Sequence, residues 1–114
     1  MTINRQTVYS KTNGHCGYCG KKISLPDMQV DHMKSKFMGG TDDIANLMPT
    51  CRRCNHYKRS LDVEGFRKYL ATLHERIMQN YIVKVGVDYG IVVIKPFNGK
   101  FYFEEIASER RDEE

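Results

Sequence analysis

The chain has 114 residues, 40% of them hydrophobic and 28% charged, with a net charge of +4. That is one domain's length with a thin core, and it is neither a disordered nor a membrane composition. The longest unbroken apolar run is Ile91-Val92-Val93-Ile94, far short of the roughly 20 residues a membrane span needs, and Met1–Gln6 shows no export signal. The charge is uneven. Residues 1–60 hold 10 Lys/Arg against 4 Asp/Glu, a balance of +6, and residues 61–114 hold 8 against 10, a balance of −2. The first half is therefore the one expected to meet a polyanion.

Taken in order, Thr2 to Lys11 reads as a short helix ended by Asn13-Gly14. Cys16 to Leu25 opens with a glycine-rich turn. Met28 to Asp31 and Leu47 to Thr50 read as short extended pieces, separated by a polar loop that carries Gly39-Gly40. Cys51 to Ser60 reads as a short basic helix. A longer helix follows, with Asp62 as N-cap and Phe66, Leu70, Leu73 and Ile77 as one apolar stripe. From Tyr81 the pattern changes to β-branched and aromatic residues. Tyr81–Val87, Ile91–Lys95 and Lys100–Glu105, joined at Asp88-Tyr89-Gly90 and Asn98-Gly99, predict a three-stranded antiparallel meander. The tail, Glu109–Glu114, is fully charged and expected to fray. The organisation expected is a first segment 1–80, a meander 81–108 that extends the same domain, and a tail 109–114.

Four cysteines in a chain without an export signal favour a metal over disulfides. Cys16-x2-Cys19 and Cys51-x2-Cys54 are two pairs with 31 residues between the inner cysteines. Two residues between ligands let the backbone turn and aim both sulfurs at one ion, and Gly17 and Gly20 relieve that turn. Four thiolates suit a closed tetrahedral Zn²⁺ site with no open position for water, so this ion is expected to be structural.

Between and after the pairs stand Val30-Asp31-His32, Gly39-Gly40, Asn46-Leu47, and Cys54-Asn55 with Lys58 three residues on. With the cysteines, this combination over His15 to about Leu61 resembles the HNH endonuclease family. The resemblance implies an α+β fold with a ββα-metal core, two strands and a helix gripping one divalent ion, braced here by the four-cysteine zinc site and followed by the helix and the meander. It implies that His32 is the general base, Asp31 the neighbouring metal ligand, Asn46 the residue ordering the loop that carries the base, and Asn55 the third motif position, where the family has His or Asn. It further implies products with 5′-phosphate and 3′-hydroxyl ends.

The chemistry of the residues agrees. Phosphodiester hydrolysis needs a base for water, a cation for the developing charge and positive groups for the strand. Asp31 and Asn55 offer hard oxygens that suit Mg²⁺ or Mn²⁺. Asp31 and His32 are adjacent, so a regular strand sends them to opposite faces, and both serve one site only if the strand ends or bends at Met33-Lys34-Ser35. Helical rotation of about 100° per residue sets Asn55 beside the cysteine face, with Arg52 and Arg59 at helical spacing, and turns His56 away. Lys34, Lys36, Arg52, Arg53, Lys58 and Arg59 flank the site and are expected to contact DNA phosphates. The expected protein is a metal-dependent DNA endonuclease, intracellular and cytoplasmic, with phages and mobile elements among its settings. A homodimer would supply two active sites for a double-strand break. The alternative is a non-catalytic zinc module that binds nucleic acid or protein.

Overall fold

The computed structural model describes residues 3–113. The chain forms two compact units, residues 1–63 joined by 101–114, and residues 64–100.

The first unit starts with α1 (Arg5–Ser10), capped by Asn4, whose side chain accepts from Thr7 N–H. Thr2, the expected start of this helix, lies outside the described residues. Strand β1 (Gln29–His32) pairs antiparallel with β2 (Leu47–Thr50), in the register Gln29↔Thr50, Val30↔Pro49, Asp31↔Met48 and His32↔Leu47. Pro49, which has no N–H to give, is tolerated because the sheet has two strands and each is an edge. Two short 3₁₀ turns, Lys36–Met38 and Ile44–Asn46, lie in the loop between the strands.

Helix α2 (Arg52–Lys58) follows β2 directly, with Cys51 as its N-cap. It is shorter than the sequence implied. Arg59 leaves the helix at φ 56, so its backbone breaks the row that was to carry Arg52 and Arg59 at helical spacing. The core of this unit is Val8, Cys16, Tyr18, Ile23, Met28, Leu47, Met48, Cys51 and Phe101.

The second unit holds most of α3 (Val63–Ala71), together with α4 (Leu73–Ile77) and α5 (Tyr81–Asp88). The single long helix expected across Phe66–Ile77 is broken at Thr72, which sits at φ −106, ψ 2. Arg76 holds the break, donating to Tyr69 O at 2.6 Å with its guanidinium 4.2 Å from the Tyr69 ring.

The expected meander is absent. Tyr81–Val87 is helical because Asn80 caps it, accepting from Ile82 N–H and Val83 N–H. Asp88-Tyr89-Gly90 is the helix end and not a hairpin turn. Gly90 takes φ +72, and Tyr89 N–H, Gly90 N–H and Ile91 N–H return to carbonyls of Val85, Val87 and Gly86, which is how a glycine ends a helix. Residues 92–98 are irregular and pair with no strand. The third expected strand starts α6 (Tyr102–Glu113) instead, because Glu104 reaches back to Phe101 N–H at 2.9 Å, half of a capping box. The tail expected to fray continues this helix through Glu113, and Glu114 lies outside the described residues.

Within the first unit, α6 returns to the cysteine turn. Tyr102 N–H and Phe103 N–H donate to Tyr18 O and Gly17 O, and Phe101 meets Tyr18 edge-on at 5.0 Å. Gly20, at φ +83, is required here, since a Cβ would stand 2.8 Å from the Tyr102 ring.

Candidate active site

The four cysteines converge as their spacing implied. All four sulfurs lie within 4.8 Å of one another, and Cys19 Sγ and Cys51 Sγ are 3.9 Å apart. A tetrahedron of zinc–sulfur bonds of about 2.3 Å has sulfur–sulfur edges of about 3.8 Å, so the cage fits that ion. The turn around Cys16 and Cys19 is fixed by Gly20 N–H→Cys16 O and Cys16 N–H→Lys21 O, and Gly17 N–H ties it to β2 at Pro49 O. Cys51 Sγ also accepts Cys54 N–H, so one sulfur caps α2 while facing the cage. Crowding splits the thiols. The hydrogen bond from Cys54 brings Cys16 down to about 4, and the same bond pushes Cys54 up.

Asp31 and His32 leave β1 on opposite faces, as alternation requires. Asp31 points into the core at 4% exposure. Its Oδ2 accepts from the Tyr18 hydroxyl at 2.7 Å, and Lys58 Nζ lies 3.1–3.2 Å from both carboxylate oxygens. Burial pushes the Asp31 carboxyl above its ordinary range, and Tyr18 and Lys58 pull it partly back. Burial, reinforced by the Asp31 charge, raises the Tyr18 hydroxyl. Neither Tyr18 nor this use of Lys58 was legible beforehand, although Tyr18 stands inside Cys-Gly-Tyr-Cys. Its backbone belongs to the cysteine turn and its hydroxyl to β1, so it links the cage to Asp31.

Lys58 corrects the list of phosphate-contacting cations. Its side chain is fully buried and also donates to His32 O at 3.1 Å and to Leu61 O. A lysine with three such acceptors around it is a strut between α2 and β1. Lys34, Lys36, Arg52, Arg53 and Arg59 remain exposed.

His32 faces the other way, 22% exposed, with Nε2 2.8 Å from Asp42 Oδ1. Asp42 Oδ2 in turn meets Lys36 Nζ at 3.0 Å. Those two partners, His32 first, hold the Asp42 carboxyl below its ordinary range. Asp42 had no signal of its own in the sequence beyond standing in a loop rich in charge.

Asn46 closes that loop. Its Nδ2 donates to Lys34 O at 2.9 Å and Thr41 O at 2.8 Å, and its Oδ1 accepts Lys34 N–H at 2.9 Å. Met33 N–H→Asn46 O at 2.8 Å extends the β ladder by one step. Gly40 allows the closure, because a Cβ there would lie 1.7 Å from Lys34 O. On α2, Asn55 is half-buried and His56 exposed. Among the described residues the Asn55 side chain makes no hydrogen bond, while its backbone carries the helix.

Residues 16–60 match the model of a family described as HNH endonuclease. A related sequence is the CRISPR-associated endonuclease Cas9 of Corynebacterium diphtheriae, 35% identical over 49 residues. The match covers 42% of this chain and 4% of that protein, so the chain spans a small fraction of that relative's length. The matched segment is the part of the chain that folds as β1, β2 and α2 around the cysteine cluster. Residues 16–60 therefore resemble the HNH endonuclease family, and the two strands, the helix and the four-cysteine cluster are consistent with its ββα-metal fold.

Proposed function

We propose that the protein is a metal-dependent endonuclease that hydrolyses phosphodiester bonds of DNA, with His32 as general base. The observation that supports this best is that His32, Asn46 and Asn55 stand on the strand end, the loop and the helix of the one ββα unit that matches the family. His32 takes the proton of a water, and the resulting hydroxide attacks phosphorus in line with the departing sugar oxygen. Asn46 keeps the loop beside His32 closed during this step. Lys34, Lys36, Arg52, Arg53 and Arg59 neutralise flanking phosphates, which makes binding fall steeply with salt.

Asp31 and Asn55 would hold Mg²⁺ or Mn²⁺. An ionised carboxylate has about four acceptor positions. Tyr18 and Lys58 use three of those on Asp31, which leaves about one toward an ion on the face of β1 opposite His32, and the Asn55 amide oxygen would be the second hard donor for an ion that keeps several waters. Such an ion supplies positive charge for the phosphate oxygens and the leaving group. Lys58 and Tyr18 fix the direction of the Asp31 carboxylate and offset part of the upward push that burial gives its pKa. The Zn²⁺ of the cysteine cage has a structural role in this reading. An intracellular, reducing setting keeps its thiols available, and a homodimer would present two sites to a duplex.

The test is a supercoiled plasmid incubated with protein and Mg²⁺ or Mn²⁺, with and without EDTA, beside His32→Ala. Nicked or linear product that requires metal and disappears in the variant, with DNA affinity within about twofold of wild type, is the expected outcome. A base acts in the transition state and phosphate contacts act in the ground state. Wild-type turnover by His32→Ala removes His32 from the mechanism.

A further inference from the structure

We infer that Asp42 is the positioning residue of His32, accepting the hydrogen of Nε2 and so leaving the lone pair on Nδ1. This rests on His32 being the base.

The first step is bookkeeping of one hydrogen. Asp42 Oδ1 and His32 Nε2 are 2.8 Å apart. An ionised carboxylate carries no hydrogen and can only accept. Asp42 is ionised, since His32 and Lys36 both act to hold its proton off. The hydrogen between the two groups therefore belongs to Nε2. A neutral imidazole has one N–H, so Nδ1 is the basic nitrogen. When Nδ1 takes a proton from water, the ring becomes an imidazolium with Nε2–H still donating to Asp42. The carboxylate then faces a full positive charge and stays ionised throughout, so no proton is passed on to it.

The second step is why Asp42 stays in place. Asp42 and His32 are ten residues apart, on a loop and on a strand end. The loop between them is pinched by the three Asn46 hydrogen bonds to Lys34 and Thr41. Thr41 is the immediate neighbour of Asp42, so Asn46 fixes the backbone from which that carboxylate reaches. Thr41 Oγ1 also donates to Asp43 Oδ2 at 2.9 Å and accepts Asp43 N–H at 3.3 Å, bracing the other neighbour. Lys36, across the loop, holds the second carboxylate oxygen at 3.0 Å. The asparagine thus orients the base through Asp42 and not by touching the ring.

The closing experiment compares wild type, Asp42→Asn, Asp42→Glu and His32→Ala in two measurements. One is plasmid cleavage over a range of DNA concentrations, giving kcat and KM. The other is the ¹⁵N signature of the His32 ring at neutral pH, recorded on the zinc-loaded protein without DNA, which needs no turnover. Wild type should show a protonated Nε2 and an unprotonated Nδ1. Asp42→Asn can turn its amide N–H toward Nε2, which should move hydrogen to Nδ1. It should also lower kcat on the order of 100-fold, the upper scale for a residue that orients a catalytic group, with KM within about twofold. Asp42→Glu should recover part of kcat and the wild-type ring signature. A merely structural role would lower folded protein and leave the ring signature of the folded fraction unchanged. Wild-type kcat in Asp42→Asn, or Nδ1–H in the wild-type protein, overturns the inference. If His32→Ala cleaves as wild type does, the nuclease reading of His32 fails, and the ring signature still decides which nitrogen Asp42 holds.

Discussion

The two compact units of this chain are built on different principles. The unit made of residues 1–63 and 101–114 has a core of nine apolar or cysteine side chains under one-tenth exposure, from Val8 to Phe101, and buries Thr12, Asp31, Thr50 and Lys58 beside them. In residues 64–100 Phe66 alone is buried among the described residues, while Tyr81, Ile82, Tyr89, Ile91 and Val93 are each at least 74% exposed. The first unit is held by directed bonds among buried residues, the second by helix caps, local backbone contacts and a few arginine bonds such as Arg67 Nη1→Gly99 O and Arg76 Nη2→Tyr69 O. Specific chemistry specifies one geometry, whereas apolar periodicity without a core to receive it leaves several open.

The largest expected effect comes from removing that directed chemistry. Cys51→Ser deletes one sulfur of the cage, while the serine hydroxyl can still cap α2. Apparent zinc binding free energies of about 10–16 kcal/mol are folding free energy in sites of this kind. The variant should lose its zinc equivalent and the fold of the first unit, measured by metal content and by circular dichroism of protein purified under reducing conditions. A folded Cys51→Ser protein without zinc would show that packing around Phe101 and Val8 suffices, and the contrast between the units would narrow to one of core size.

The same contrast explains what the sequence disclosed. Cysteine spacing announced the cage, and the two short strands and the helix after them fell where turn and ligand residues bounded them. Asn46 makes three side-chain hydrogen bonds across the loop that follows His32. Three residues escaped because their role depends on distant partners. Lys58 read as one more surface cation, Tyr18 as filler between ligands, and Asp42 as loop charge. None carries a local mark of burial or pairing. In 81–105 the error was of another kind. β-branched residues suit strands, and Gly90 and Asn98-Gly99 are equally hairpin turns or helix and loop ends. What decided the outcome was Asn80 as a cap and Glu104 reaching back to Phe101 N–H, single side chains whose effect outweighs the average propensity of the segment. Phe101, expected in the third strand of the meander, is instead 1% exposed in the first unit's core, so the chain's last segment supports the site although no candidate catalytic residue lies in it.

A smaller effect sharpens the role of buried charge. Lys58→Met keeps the volume of the strut and removes its charge, leaving Asp31 buried with Tyr18 alone. Breaking a buried pair from one side costs about 3–5 kcal/mol. The loss should appear as a lower denaturant midpoint with zinc still bound at neutral pH. Double replacement, Lys58→Met with Asp31→Asn, should recover part of it, because no uncompensated carboxylate remains. If the single variant is as stable as wild type, Lys58 is not the strut described, and the first unit rests on zinc and apolar packing alone.

The smallest expected effect lies in the second unit, where one cap decides between helix and strand. Tyr81–Asp88 is eight residues long and holds Ile82, Val83, Val85 and Val87, each a poorer helix former than alanine. A helix this short and this rich in β-branched residues is marginal by itself. Asn80 Oδ1 accepts Ile82 N–H at 3.0 Å and Val83 N–H at 3.4 Å, satisfying two donors that the helix leaves without partners. Replacing an N-cap asparagine by alanine costs about 1 kcal/mol, and by glycine only a few tenths. Asn80→Ala should therefore lower protection of the α5 amides against hydrogen exchange by roughly fivefold, and Asn80→Gly by much less. A cap effect has that order, whereas a general loss of side-chain contact would make glycine the worse change. Zinc content and the exchange of β1 and β2 amides should stay as in wild type in both variants. If the strands of the first unit lose protection together with α5, the two units unfold as one, and the division between directed bonds and local caps does not describe how the chain is stabilised.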